Sequence, residues 1–321
     1  MTALLNRAEG RVRRRFLRLV RDSGELASLQ ETARLLEAGR IQEALALAQD
    51  IAPGISSTLE QVYLAAGLSS AEVLRSQVDT LFDFNLANSR AVNDLRLTRL
   101  RLVREFAREQ ALATTEMLAD AFARGLSPIE QARELKRSIG LTRNQAQIVR
   151  NYRRNLERNS SQALGRALRD RRFDPSVRRA IRTGQPLSTA QIDRMVARYQ
   201  QRWVQFRAQT IAVTESRRAA SAADAEFWTQ AVEDGVVPAD AIDSIWRISP
   251  PNVRASHQAM RGQRRPFGEP FTSGDGNALR YPSDPLAPAS DTVNCKCVIE
   301  RKVRKAAMVA FNPSTAQRRA A

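Results

Sequence analysis

Histidine, cysteine and lysine are nearly missing from this chain of 321 residues, which has one histidine (His257), two cysteines (Cys295 and Cys297) and four lysines (Lys136, Lys296, Lys302 and Lys305). Two cysteines one residue apart cannot supply a secreted disulfide framework, and a bond between them would be strained, so they read as thiols or metal ligands. Aromatic residues make up only 6%. All three tryptophans, Trp203, Trp228 and Trp246, fall within one short span, which places the tightest apolar packing there. No apolar run reaches the roughly 20 residues that span a bilayer. The opening MTALLNRAEGRVRRRFLRLVRD carries basic residues where a signal peptide needs an apolar core, so the chain is expected in the cytoplasm or in something assembled there. A G-x-S-x-G elbow, an H-E-x-x-H helix and a phosphate-binding glycine loop are also absent, and with them the sequence signatures of common hydrolases and nucleotide enzymes.

What is abundant is arginine. Lysine and arginine total 51 against 34 acidic residues, a net charge of +17, and 47 of those cations are arginines. Their planar forks suit phosphate and carboxylate, and the summed charge favours a polyanionic neighbour. Two clusters stand out as nucleic-acid-binding candidates. Arg11, Arg13, Arg14, Arg15 and Arg18 form the first; Arg166, Arg169, Arg171, Arg172, Arg178, Arg179 and Arg182 form the second. Either can equally be a solvated helix face or a set of ion pairs within a bundle. The hydrophobic content of 43% is enough for a core, so the chain should fold.

Residues 1–158 read as helical. Apolar residues from Phe16 to Ala48 recur at three- and four-residue steps up to a break at Pro53-Gly54, with a turn at Gly39. Ser56 or Ser57 suits the cap of a helix starting near Leu59, and Ser69-Ser70-Ala71-Glu72 has the character of a capping box. A long stripe through Leu95, Leu102, Phe106 and Met117 runs to Gly125. Helices then start at Ser127-Pro128 and Thr142, with Gly140 between them. Residues 159–187 read as a basic connector with short helices. Ser188 caps a helix with an apolar seam through Ile192, Met195, Val196, Tyr199, Trp203 and Phe206, which continues or restarts toward Gly235. Glu215 and Arg218, one turn apart on it, suit a surface ion pair.

The stretch from Trp246 to Arg301 has a different texture. Seven of the 13 prolines lie in it, which excludes a long helix and favours loops with short strands. DAIDSIWRIS has the content of a first strand. A short helix fits between Pro251 and Gly262, with Val253, His257 and Met260 on one face. CKCVIERKV alternates, so both thiols face the same side. A metal site with His257, Cys295 and Cys297 as ligands, and Asp284 or Asp291 as the fourth, is one reading; reduced thiols beside a hydrogen-bonded histidine is the other. The fold class is therefore α+β: a mainly α-helical N-terminal region, then a small C-terminal α+β domain with short strands and long loops, with residues 305–321 as a basic, disordered tail.

The order RAQTIAVTES, SIWRI, VRASHQAMRG, FTSGDGNALRYPSDP and NCKC resembles the phage Mu F-like head morphogenesis family, the minor head proteins of tailed bacteriophages. GLTRNQAQIVRNYRRNLE resembles the helical segment that precedes that domain, so the likeness covers about residues 125–304, with the domain itself at 188–304. It implies a non-enzymatic virion protein in the head interior or at the portal vertex, assembled in the host cytoplasm. It would act in head assembly and DNA packaging or delivery, with the portal protein, a major capsid or scaffolding protein and phage DNA as partners, and with no membrane required. The shared positions are Glu215, Trp246, Arg254, His257, Gly262, Asn294, Cys295 and Cys297, and the resemblance suggests that Glu215 and Arg254 form a structural ion pair. The family pattern commonly has an acidic residue between the tryptophan and the arginine, where this chain has Pro250, Pro251 and Asn252. Some members carry further cysteines that this chain lacks, so no cofactor is required and zinc is a candidate only. A general basic DNA-binding protein is the first alternative, and a hydrolase using His257 with Cys295 or Ser256 the second.

Overall fold

The computed structural model describes residues 1–26, 28–46 and 52–309. Ala48 of the first apolar pattern and residues 310–321 of the tail fall outside them. The described elements are, in chain order, α1 (Thr2–Leu26), α2 (Leu29–Glu37), α3 (Ile41–Ala46), α4 (Ala52–Gln77), α5 (Ser89–Ala123), α6 (Pro128–Ser138), α7 (Arg143–Glu157), α8 (Asp174–Thr183) and α9 (Thr189–Glu233). Then come β1 (Ile242–Arg247), α10 (Ala255–Gln258), β2 (Arg264–Pro266), β3 (Phe271–Thr272), β4 (Ala278–Leu279), α11 (Ala289–Thr292), β5 (Val298–Val303) and α12 (Lys305–Val309). The fold is α+β, mainly helical first and with short antiparallel strands near its C-terminal end. Residues 305–309, expected as disordered tail, are helix.

The chain gathers into two compact units that are not continuous in sequence. One comprises Met1–Arg13, Ser56–Arg99 and the chain from Thr210 on; the other comprises Arg14–Ile55 and Leu100–Gln209. Helices α1, α4, α5 and α9 each contribute residues to both.

In the second unit the helices begin where local chemistry says they should. Ser127 and Glu130 form a capping box at α6, with proline in the first turn. Thr142 and Gln145 do the same at α7. Gly140 between them has a φ of +85°, a left-handed conformation that a side chain resists. At α9, Ser188 Oγ accepts from the Gln191 amide at 3.3 Å while Gln191 Oε1 accepts from the Ser188 amide at 2.9 Å. Packing follows from the apolar stripes. Ala33 and Leu36 of α2 bury against Ala132 and Leu135 of α6, and Val149, Tyr152 and Leu156 of α7 bury with Ile192, Met195 and Tyr199 of α9. Burying each large apolar side chain contributes about 1.5–3 kcal/mol. A basic group also sits inside: the Arg207 guanidinium lies 5.9 and 5.1 Å from the ring centres of Phe16 and Phe106, and burial pushes its pKa down to about 10.

The first unit departs from the sequence reading in α4. No helix starts near Leu59, because Ser56, Ser57, Ser69 and Ser70 all lie within α4, which already begins at Ala52. Ser70 caps nothing; it is buried and its hydroxyl bonds Asp224 Oδ1 at 2.7 Å. Gly67 lets α4 approach the Phe84 ring, since a Cβ there would lie 2.0 Å from Phe84 Cδ1. The segment after α4 is tied to α9 by reciprocal bonds of 3.0 Å between Gln230 and the Asn85 backbone, and by Arg90 reaching Glu226 and Glu233 at 3.1 and 2.7 Å. Helix α9 continues unbroken for 45 residues. Beyond it, β1 is the central strand of a three-stranded antiparallel sheet in the order β2-β1-β5, pairing Trp246 with Ile299 and Asp243 with both Pro266 and Lys302. Strands β3 and β4 form a separate ribbon.

Candidate functional site

The lobe formed by residues 242–303 has its own small core of Trp246, Met260, Phe271, Leu279, Cys295 and Cys297. Trp246 comes from β1. Its amide and carbonyl bond Gln263 and Gly262 at 2.9 and 3.0 Å, which brings the turn after α10 back beside β1. Gly262 has a φ of +72° there, a conformation open to glycine and unfavourable for residues with a Cβ. Asn294 occupies the same left-handed region at +58°, which asparagine tolerates better than most residues, and it turns the chain into the Cys-Lys-Cys segment.

That turn brings the rare residues together. His257 is 1% exposed, Cys295 2% and Cys297 4%. Both sulfurs lie 3.5 Å from the same imidazole atom, Nδ1. One donor atom from each of the three residues falls within 4.8 Å of the others, and this buried group could bind a metal such as zinc. Contrary to the strand expected through them, the thiols precede β5, which starts at Val298. Cys295, Cys297 and Arg301 are buried, as alternation predicts, whereas Ile299 is only half-buried, like Val298 and Glu300 on either side of it.

Neither aspartate supplies the expected fourth ligand. Asp284 is held by Arg280 in a two-pronged pair at 2.7 and 2.9 Å, and also accepts the Arg280 and Leu286 amides. Burial pushes the Asp284 carboxyl up, but those bonds outweigh it and hold the group below the usual carboxylate range. Asp291 lies at the other edge of the imidazole, with Oδ1 3.5 Å from Nε2. It accepts from Ser256 Oγ at 2.8 Å and Asn277 Nδ2 at 2.9 Å. Burial pushes this carboxyl up as well, and the bonds from Asn277 and Ser256 again bring it below the usual range. Of the two thiols, Cys295 is driven down by hydrogen bonding from Cys297, which with His257 outweighs its burial, and Cys297 is driven up by the same sulfur contact and by burial. Trp246 closes one side of the imidazole edge-on, with ring centres 5.5 Å apart.

Helix α9 supports this segment with buried polar groups that sequence reading missed. Arg217, 4% exposed, donates to the Lys296 carbonyl at 2.7 Å and pairs with Glu9 at 2.9 Å. Thr214 Oγ1 accepts the Asn294 amide at 3.0 Å. Arg301 of β5 reaches Asp224 at 3.2 Å. The pairing suggested for Glu215 and Arg254 gives way to other partners. Glu215 meets Arg218 at 2.9 Å, and this pair is largely buried rather than a surface one, with Arg218 also donating to the Ser283 carbonyl at 3.0 Å. Arg254 donates to the Val293 carbonyl at 2.5 Å. Nothing in the sequence marks which of 47 arginines is buried.

The two basic clusters separate into engaged and unpaired members. Arg169 makes a two-pronged pair with Asp174, both bonds 2.9 Å. Arg172, Arg198 and Arg202 converge on Asp170 at 2.6, 3.5 and 3.4 Å, and the Arg172 bond leads in holding that carboxyl well below its usual range. Arg166 is half-buried. Arg171, Arg178, Arg179 and Arg182 are exposed and have no ion pair among the described residues. On α1 the buried stripe is Leu5, Ala8, Val12 and Phe16. Arg11, Arg13, Arg14 and Arg18 are exposed without an ion pair among the described residues, and Arg15 turns to the Gly54 carbonyl at 3.3 Å.

No helix is long and apolar enough to cross a membrane among the described residues. Comparison with protein-family models, with characterised proteins and with solved structures finds no match in any of the three.

Proposed function

We propose that this chain is a non-enzymatic minor head protein of a tailed bacteriophage, associated with the portal and the head interior and acting in head assembly and DNA packaging or delivery. The observation that carries the reading is the convergence of the motif residues. Trp246, His257, Gly262, Cys295 and Cys297, scattered through the stretch that resembles the Mu F-like domain, meet around one small core. Asn294 is tied to α9 by its bond to Thr214, and Glu215 pairs on that helix with Arg218, which donates to the Ser283 carbonyl. A motif set that builds a core, with His257 and Cys295 almost wholly buried, supports a scaffold role better than a hydrolytic one. Zinc is the metal that the donor set suits best, as two sulfurs and one imidazole nitrogen.

The test is recovery of the tagged full-length chain from phage-producing cells, followed by identification of its partners. Portal and capsid or scaffolding proteins in the eluate are expected. Their absence, with DNA recovered alone, would overturn the reading in favour of a general basic DNA-binding protein, which the unpaired arginines of α1 and α8 also support.

A further inference from the structure

We infer that the lobe is built around one zinc ion held by His257 Nδ1 and the thiolates of Cys295 and Cys297, with Asp291 fixing the imidazole. This goes beyond the assembly role and does not depend on it.

The spacing carries the inference. With zinc–sulfur distances near 2.3 Å and zinc–nitrogen near 2.0–2.1 Å, a tetrahedral ion separates a sulfur from a nitrogen ligand by about 3.5 Å. Both Sγ–Nδ1 distances are 3.5 Å. A neutral imidazole nitrogen has one lone pair and accepts one good S–H bond, so two sulfurs equidistant from it are explained better by a shared cation than by hydrogen bonding.

The surroundings fit as well. A metal-binding histidine almost always has its other ring nitrogen directed at a carboxylate or carbonyl, which sets the tautomer. Here His257 Nε2 is buried and has no hydrogen-bond partner among the described residues, and Asp291 Oδ1 stands 3.5 Å from it. Asp291 is itself anchored by Ser256 and Asn277. A metal on Nδ1 places the ring proton on Nε2, facing that carboxylate. Two thiolates and zinc sum to zero charge, so the ion adds none beside the buried Asp291 carboxylate, and Trp246 walls one side of the imidazole.

The ion would join α10 to the segment entering β5 at a place where the chain has little regular structure. Because the thiols must lose their protons to bind, uptake releases protons and occupancy falls in acid.

The experiment is elemental analysis of the full-length chain, purified without chelators or metal-affinity resin, combined with cobalt(II) titration of the chelator-stripped chain. The expected result is one zinc per chain as isolated. Cobalt should give intense visible bands of a tetrahedral site and near-ultraviolet thiolate-to-cobalt absorption. Cys295→Ser and Cys297→Ser should lose the charge-transfer band. Asp291→Asn should keep it while binding zinc about 10- to 100-fold more weakly in competition with a chelating dye. A chain that is metal-free as isolated and gives no such cobalt spectrum overturns the inference. So does a cobalt spectrum that survives both serine substitutions.

Discussion

The helical unit around α6 and α7 and the lobe of residues 242–303 keep their folds by different means. In the first, regular helices bury apolar stripes, and most of the stabilisation is the non-directional removal of side chains such as Leu135, Val149 and Leu156 from water. In the second, strands are only two to six residues long, and His257, Asp291, Ser256 and Arg301 are buried beside the aromatic core. Such groups stabilise only when every partner is in place, and they impose a large penalty when one is removed. The helical unit should therefore tolerate conservative change that the lobe does not.

The comparison breaks most sharply at Arg217. Arg217→Met keeps the volume but leaves Glu9 and the Lys296 carbonyl without their donor; a loss of about 3–5 kcal/mol is expected in urea unfolding. Leu135→Ala, in the helical unit, should cost about 2–5 kcal/mol. Leu135→Met, which conserves volume, should stay below about 1.5 kcal/mol, whereas no equivalent exchange exists for Arg217. An Arg217→Met chain as stable as Leu135→Met would remove the distinction.

Acid should sharpen it. The Asp284 carboxyl is depressed in the folded lobe, so its contribution is present above the unfolded carboxylate pKa of about 3.9 and is lost as pH falls through the folded value. Melting temperature followed from pH 7 downward should therefore drop below about pH 4, and Asp284→Asn should flatten that part of the profile. Gly262→Ala comes next, at about 1–2 kcal/mol, from the left-handed backbone. The smallest effect on stability, within about 0.5 kcal/mol, belongs to Arg178→Gln with Arg179→Gln and Arg182→Gln. If these residues touch phosphates, the slope of log affinity for duplex DNA against log salt should still become shallower by about 0.9 for each phosphate no longer neutralised. An unchanged slope would show α8 to be a solvated face.

Legibility in the sequence follows the same divide. Helix starts at Ser127, Thr142 and Ser188 were readable because a capping box closes within four residues. Ser69-Ser70 carried the same local signal and misled, since the Ser70 hydroxyl answers to Asp224, 154 residues away. The His257, Cys295 and Cys297 group was visible because those residue types are so scarce here. Asp284 and Asp291 looked alike as fourth ligands; only the fold gives one to Arg280 and sets the other beside Nε2. The support from Thr214 and Arg217 had no sequence mark, because burial of one arginine among many is decided by tertiary packing.

Trp246 has a spectroscopic consequence. Its indole is fully buried and stands edge-on to His257 in the same cluster as both thiols. Neighbouring side chains set how strongly an excited indole is quenched, so the emission of this one residue responds to any rearrangement of the core it shares with both thiols. With Trp203 and Trp228 replaced by phenylalanine, the lobe becomes its own fluorophore, and its state can be followed without an added label.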